Sequence, residues 1–309
     1  MDAEKAASTM VDGPPNNAIY HADGELLVNV NTSVQDSLHL KLAQDNKTVL
    51  IPQPSEDVLD PLNWPWWRKH ALLLVLCTAS VLPEFAVASG PSCVNVQGAE
   101  WNITSTHANY ANNLAVLFFG IGGPLTVPFL TFWGRAPTIF WWDFITAMLT
   151  LGAALAQTFN EFYALKALQG LFMGGGQMAS LSVLHDIFFF HEEARKIGIW
   201  TASFTVAPYL GPMFANYVLA ETGSWRNVYW MTFGLACLNL VLQLLFLDET
   251  FYRRDISPEN QPDRGNRLMR ILGVWQIRNH SKYFSTAALA SRRVWLVFWK
   301  PIIIPVMLY

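Results

Sequence analysis

Runs of about 20 apolar residues recur along this chain, the length needed to cross a bilayer core of about 30 Å at 1.5 Å per helical residue. They fall near 71–90, 108–130, 137–157, 162–184, 197–219 and 228–247, which predicts six spans. Buried helices in a large soluble domain are the alternative. So many long runs, with 14% charged residues, 52% hydrophobic residues and 13 Trp, argue against it. The expected fold class is an all-α polytopic membrane protein with six transmembrane helices. The net charge of −3 points to neither nucleic acid nor an acidic surface as partner, so the lipid bilayer is the partner expected first.

The flanks divide the chain further. Residues 1–59 are polar and aperiodic and are read as a disordered tail that is not a cleaved signal peptide. Trp64, Trp66 and Trp67 beside Arg68 and Lys69 suit a headgroup zone at the start of the six-helix region, 60–250. Lys and Arg gather before span one, between two and three (Arg135), between four and five (Arg195, Lys196) and densely in 251–293, with Arg226 as the exception. The positive-inside rule therefore predicts a cytoplasmic amino terminus, a basic cytoplasmic loop over 251–293 and an external first loop. That loop carries the sequon Asn102-Ile103-Thr104 and the polar-flanked Cys93, expected to be open to reagents, whereas the sequons at Asn31 and Asn46 stay inside. Residues 294–309 read as an incomplete seventh transmembrane helix, and the chain as a truncated gene model, a fragment or a true half-length product.

Enzyme chemistry is not expected. The sequence has no H-E-x-x-H, G-x-S-x-G or Walker loop, its His residues are scattered, and its three Cys form no C-x-x-C pair. No cofactor or metal is implied. Polar groups inside apolar helices are expensive and mark pathways by default. Glu84, Lys166, Gln169 and Gln177 are such candidates, with Asn112 and Asn113 near the outer end of span two. Lys166 has two readings: a pathway cation, or a lysine snorkelling to an outer interface about 8 Å away. Gly170 and Gly174 form a G-x-x-x-G face suited to close helix approach. In span five, Ala207, Gly211 and Ala215 make a stripe of small residues while Pro208 and Pro212 each remove a backbone donor, which suits either a rocking helix or a statically kinked one. Arg135 and Asp186 lie at similar depth at cytoplasmic helix ends. They are expected to pair and steady a gate, the alternative being two solvated charges.

Several of these residues carry a resemblance. Asp60-Pro61-Leu62-Asn63-Trp64, Gly134-Arg135 with Pro137, Lys166 to Gly170, Asp186 through Arg195 to Gly198, Pro208 with Gly211-Pro212, Trp225-Arg226 and Glu249-Thr250 occur in an order that resembles the fungal twelve-helix drug:proton antiporter group of the major facilitator superfamily, from about Asp60 to Tyr309. The resemblance implies two inverted three-helix repeats and proton-coupled movement of a small organic solute by alternating access. It also implies a plasma-membrane location and a missing C-terminal six-helix half as partner.

Gly134, Arg135, Asp186, Arg195, Pro208, Gly211 and Pro212 would then be conformational motif positions. The family's loop motif between helices two and three has a Gly, an Asp and an Arg where this chain has Val127, Thr131 and Phe132. The family's helix-four Arg is replaced by Lys166, which keeps the charge without the bidentate fork. Its helix-five motif has glycines where this chain has Ala207, Ala215 and Asn216. Depth counted along the helices pairs Glu84 with Lys166 as a protonation site. The competing readings are an uptake carrier for a nutrient or polyamine-like cation, a non-transporting receptor and an inert truncated product.

Overall fold

A computed structural model describes residues 18–20, 26–28, 41, 50–254 and 256–298. Strands β1 (Ala18–Tyr20) and β2 (Leu26–Val28) pair antiparallel, with Ile19 opposite Leu27. Most of the tail expected over 1–59 lies outside the described residues, as does 299–309 of the expected seventh span.

Long helices dominate: α1 (Trp66–Ser89), then the short α2 (Val94–Trp101), α3 (Ser105–Phe132), α4 (Arg135–Leu155), α5 (Phe159–Ile187), α6 (Phe190–Thr222) and α7 (Trp225–Phe246). Local chemistry sets their ends. Asp60 caps the turn before α1 by accepting from the Leu62 N–H, and the Thr104 hydroxyl caps α3 at His107 N–H. Thr158 and Glu161 form a reciprocal capping box at α5. Asn102 and Gly223 end α2 and α6 in the left-handed conformation, at φ 52° and 65°.

Four helical segments, Trp66–Trp101, Ser105–Phe132, Arg135–Leu155 and Trp225–Phe246, are long and apolar enough to cross a membrane. Helices α5 and α6, at 29 and 33 residues, are long enough but less apolar than these four segments. Helix α5 runs through the interior, packed on α3, α4 and α1, so neighbouring helices cover much of its surface.

Small residues set the tightest contacts. A Cβ on Gly174 would lie 2.8 Å from the Phe119 carbonyl oxygen, and one on Gly170 would lie 2.9 Å from the Ala115 carbonyl carbon, so α3 rests on the G-x-x-x-G face of α5. The stripe Ala207, Gly211, Ala215 is buried, and a Cβ on Gly211 would come 2.7 Å from the Phe85 carbonyl oxygen of α1. Trp200 Nε1 of α6 donates to Ser80 Oγ of α1 at 2.7 Å. Helix α6 passes through Pro208 and Pro212 without interruption.

One expectation changes here. Cys93 is fully buried, its thiol against the Ser89 carbonyl, because it packs into the cluster that holds Ala111, Phe162, Trp225 and Tyr229. The basic loop is folded as well: it forms α8 (Arg267–Ile271), α9 (Val274–Arg278) and α10 (His280–Tyr283). Its arginines cap open carbonyls. Arg267 donates to Leu244 O and Leu247 O at the end of α7, and Arg264 to Glu249 O and Phe251 O. Helix α11 (Ala287–Phe298) begins before the expected seventh span and packs against α3.

Candidate functional site

At the end of the bundle where α1 begins and α5 ends, Gly134, Arg135 and Asp186 join Asp248, Glu249 and Thr250 in one connected network. Arg135 Nε lies 2.9 Å from Asp186 Oδ2, both side chains being about four-fifths covered. Thr250 Oγ1 donates to the same oxygen at 2.9 Å, and the guanidinium stacks 4.6 Å from the Phe251 ring centroid. Behind it, Glu249 accepts from the Arg135 and Phe251 N–H groups and from Gln276 Nε2. Burial still pushes the Glu249 carboxyl above its ordinary range. Gly134 fits because its φ is +100° and a Cβ there would lie 3.1 Å from Glu249 Cδ.

Asp248 is held by Arg270 at 2.8 Å and by Arg68 at 2.6 Å. Asp60 pairs with Arg254 at 3.0 Å; burial alone would raise its carboxyl, but Arg254 and the Ser55 and Leu62 amides outweigh that and hold it below its ordinary value. Arg195 stands apart from this network, exposed on α6.

The opposite end is aromatic. Trp101, Phe159, Phe162, Trp225 and Tyr229 pack ring against ring. Arg226, the exception in the charge pattern, donates to Glu100 at 2.6 Å and to the Ala156 carbonyl at 2.9 Å, so a carboxylate neutralises it locally.

Between the ends lie the polar interior residues. Lys166 is fully buried and does not snorkel. Its Nζ has no hydrogen-bond partner and sits 5.5 Å from the Tyr229 ring centroid, with Cys93 close by. Gln97 and Gln169 carry unpartnered amide oxygens, though Gln169 Nε2 donates to Thr150 Oγ1 at 2.6 Å.

The expected pair of Glu84 with Lys166 does not form, because Glu84 faces Gln177 instead. The reason is register. Lys69 of α1 lies 4.9 Å from the Phe189 ring centroid just past α5, so depth is best counted from that end. Glu84 is then about 22 Å along α1, Gln177 about 18 Å along α5, and Lys166 about 34 Å along it. Asn112 and Asn113 also separate: Asn112 is buried against Gly90 and bonded to Asn109 Oδ1, whereas Asn113 faces outward.

Sequence reasoning missed Asp143, the one acid inside the third apolar run. It is buried on α4 and accepts from Asn239 Nδ2 at 3.1 Å and Gln243 Nε2 at 2.5 Å, both from α7. A lone carboxylate in such a run was the available signal.

Residues 72–309 match the profile of the Major Facilitator Superfamily. An uncharacterized MFS-type transporter of Schizosaccharomyces pombe is 28% identical over 241 residues, 78% of this chain and 41% of that protein. Protein HOL1 of Saccharomyces cerevisiae is 29% identical over 67% of this chain and 35% of its own length. The chain thus spans less than half of these relatives. Among solved structures, the proton:xylose symporter XylE bound to 6-bromo-6-deoxy-D-glucose superposes with a TM-score of 0.54 at 18% identity, over 75% of this chain and 52% of that one. The inward open xylose transporter XylE from E. coli gives 0.53 at 17% identity, over 78% and 60%. With apolar helices of membrane-crossing length, this fold and a profile match over residues 72–309, the chain is an integral membrane protein that belongs to the Major Facilitator Superfamily.

Proposed function

We propose that the chain is the N-terminal, six-helix half of a proton-coupled carrier that moves a small organic solute across the plasma membrane by alternating access, of the fungal twelve-helix drug:proton antiporter type. In this reading α1 and α3 to α7 are the six spans, arranged as two inverted three-helix repeats, and the arginine-rich end faces the cytoplasm. The exposed apolar faces of α3 and α6, which include Leu117, Ile121, Tyr209, Met213 and Tyr217, await the missing C-terminal half.

The observation that carries the reading is the unpartnered ammonium of Lys166, sealed inside an apolar bundle. A buried cation without a partner is costly unless another state of the cycle supplies one. An acceptor on the solute would meet it when the helices shift. The Arg135–Asp186 pair steadies the cytoplasmic gate in the present state. Names of relatives support a small organic solute, since they include transporters of the citrinin and ascochitine biosynthesis clusters.

The test is to reconstitute the chain in liposomes with the C-terminal half of the S. pombe relative and record internal pH as drug-like compounds are added. Solute-dependent proton movement, removed by Lys166→Met, is expected. Solute flux indifferent to both the pH gradient and Lys166→Met would overturn the coupling.

A further inference from the structure

Asp143 sits where a charge has no compensation. Its two donors among the described residues, Asn239 Nδ2 and Gln243 Nε2, converge on Oδ2. No donor among the described residues reaches Oδ1, which lies so close to α5 that a Cβ on Gly176 would come within 2.5 Å of it. Beside the carboxyl is a cavity of about 20 Å³, room for one water. Thr146, Thr150, Thr232 and Asn239 line it, and Thr146 Oγ1 is buried without a partner.

Among the described residues, no charged or titratable side chain other than Asp143 itself lines this cavity. Helix α1 brings Leu82, Pro83 and Ala86 to the cavity, α5 brings Met173, and α7 brings Thr232 and Ala236. The nearest acid on α1, Glu84, faces Gln177; Lys166 of α5 stands ten residues, about 15 Å, from Gly176; and the hydrogen bonds to Asp143 among the described residues come from neutral amides. The Asn239 amide is oriented from its far side, where its Oδ1 accepts from Thr78 of α1 at 2.8 Å. An Asn at position 143 would also satisfy the two amides. A second oxygen that can take up a proton is what the acid adds.

We propose that Asp143 is a proton-carrying site of this protein, loaded from a single water in the adjoining cavity, and that its proton occupancy sets how tightly α7 clasps α4. On loading, an O–H bond of a hydronium in the cavity breaks and one forms at Asp143 Oδ1, leaving water behind. The neutral acid is a weaker acceptor, so the grip of Asn239 and Gln243 loosens and with it the tie through Asn239 to α1. The proposal rests on the proton-coupled reading above, and its test requires no transport.

Infrared difference spectra of the whole chain in lipid nanodiscs, recorded in H₂O and D₂O while pH is stepped between about 4 and 9, report the carbonyl stretch of a protonated carboxylic acid. A titrating band is expected that Asp143→Asn abolishes and Glu84→Gln keeps. Gln243→Leu, which removes a donor to the charged form, should raise the midpoint by about one pH unit. A pH-difference spectrum that Asp143→Asn leaves unchanged, or an Asp143→Asn-sensitive band that follows sodium and not pH, would overturn the proposal; the bands of other carboxyls, the buried Glu249 among them, are common to both chains and cancel in the comparison. If Asp143→Asn does not fold, an unmoved midpoint in Gln243→Leu has the same force. A titrating Asp143 in a protein that shows no proton-linked flux would leave this site standing and remove the transport reading; the reverse pair of results would do the opposite.

Discussion

Arg135, the first residue of α4, reaches across to Asp186 near the end of α5 and closes an ion pair of 2.9 Å that Thr250 completes from the far side of α7. Three helix ends therefore meet at one carboxylate. Asp186→Asn should lower stability by about 1.5–3 kcal/mol, the range for a hydrogen bond to a charged group. Thermal unfolding in detergent checks it, and an unchanged midpoint would mean that the pair is idle.

Gly134 is constrained twice, by its positive φ and by the Glu249 carboxyl group. Gly134→Ala should cost about 1–3 kcal/mol from backbone strain, before Glu249 is displaced. Size-exclusion profiles after a heat step would show the loss as a lower aggregation temperature.

Two glycines predict opposite outcomes. Gly170→Ala drives a methyl group into the Ala115 backbone and should destabilise the α3–α5 contact by about 1–3 kcal/mol. Gly120→Ala, with nothing within 4 Å of the added carbon, should be tolerated. Equal melting temperatures for the two variants would contradict the packing described here.

Acid should open the clip between Asp60 and Arg254. The folded carboxyl titrates below its ordinary value of 3.8, so its contribution is complete above that value and is lost as pH falls through the folded value. Asp60→Asn should lower stability at neutral pH by about 1–3 kcal/mol, and the gap to the unmodified chain should close as pH drops below 3.8. Paired unfolding curves across pH measure that gap.

Buried Cys93 gives a clean background for mapping the first loop. Thr106, exposed in the first turn of α3, is the better reporter. With an external loop, Thr106→Cys should react with an impermeant maleimide in intact cells while the unmodified chain stays dark. Labelling of Thr106→Cys only after permeabilisation would reverse the assigned orientation.

Periodicity and hydropathy alone marked every long helix to within seven residues of its end, since the apolar run and the helix share one cause, the absence of water for backbone groups. Relative depth was not legible. Counting Glu84 from one end of a span and Lys166 from the other hides the offset between helices, which rings such as Phe189 over Lys69 reveal only in three dimensions. Lys166 read as a possible snorkeller because the ring beside its ammonium, Tyr229, comes from α7, far away in sequence. Arg264, Arg267 and Arg270 carried a topological signal in the sequence but gave no hint that their targets would be helix-end carbonyls and Asp248.

The contact of Gly211 with the Phe85 and Ser89 backbone has a consequence for biosynthesis. The partner of α1 is made 211 − 85, or 126, residues later, an interval of about 6–25 s at a synthesis rate of about 5–20 residues per second. Through that interval Ser80 lacks its Trp200 donor and the groove over Phe85 lies open to lipid. The nascent first helix must wait beside the insertion machinery, or under a chaperone, until the stripe of Ala207, Gly211 and Ala215 arrives to cover it.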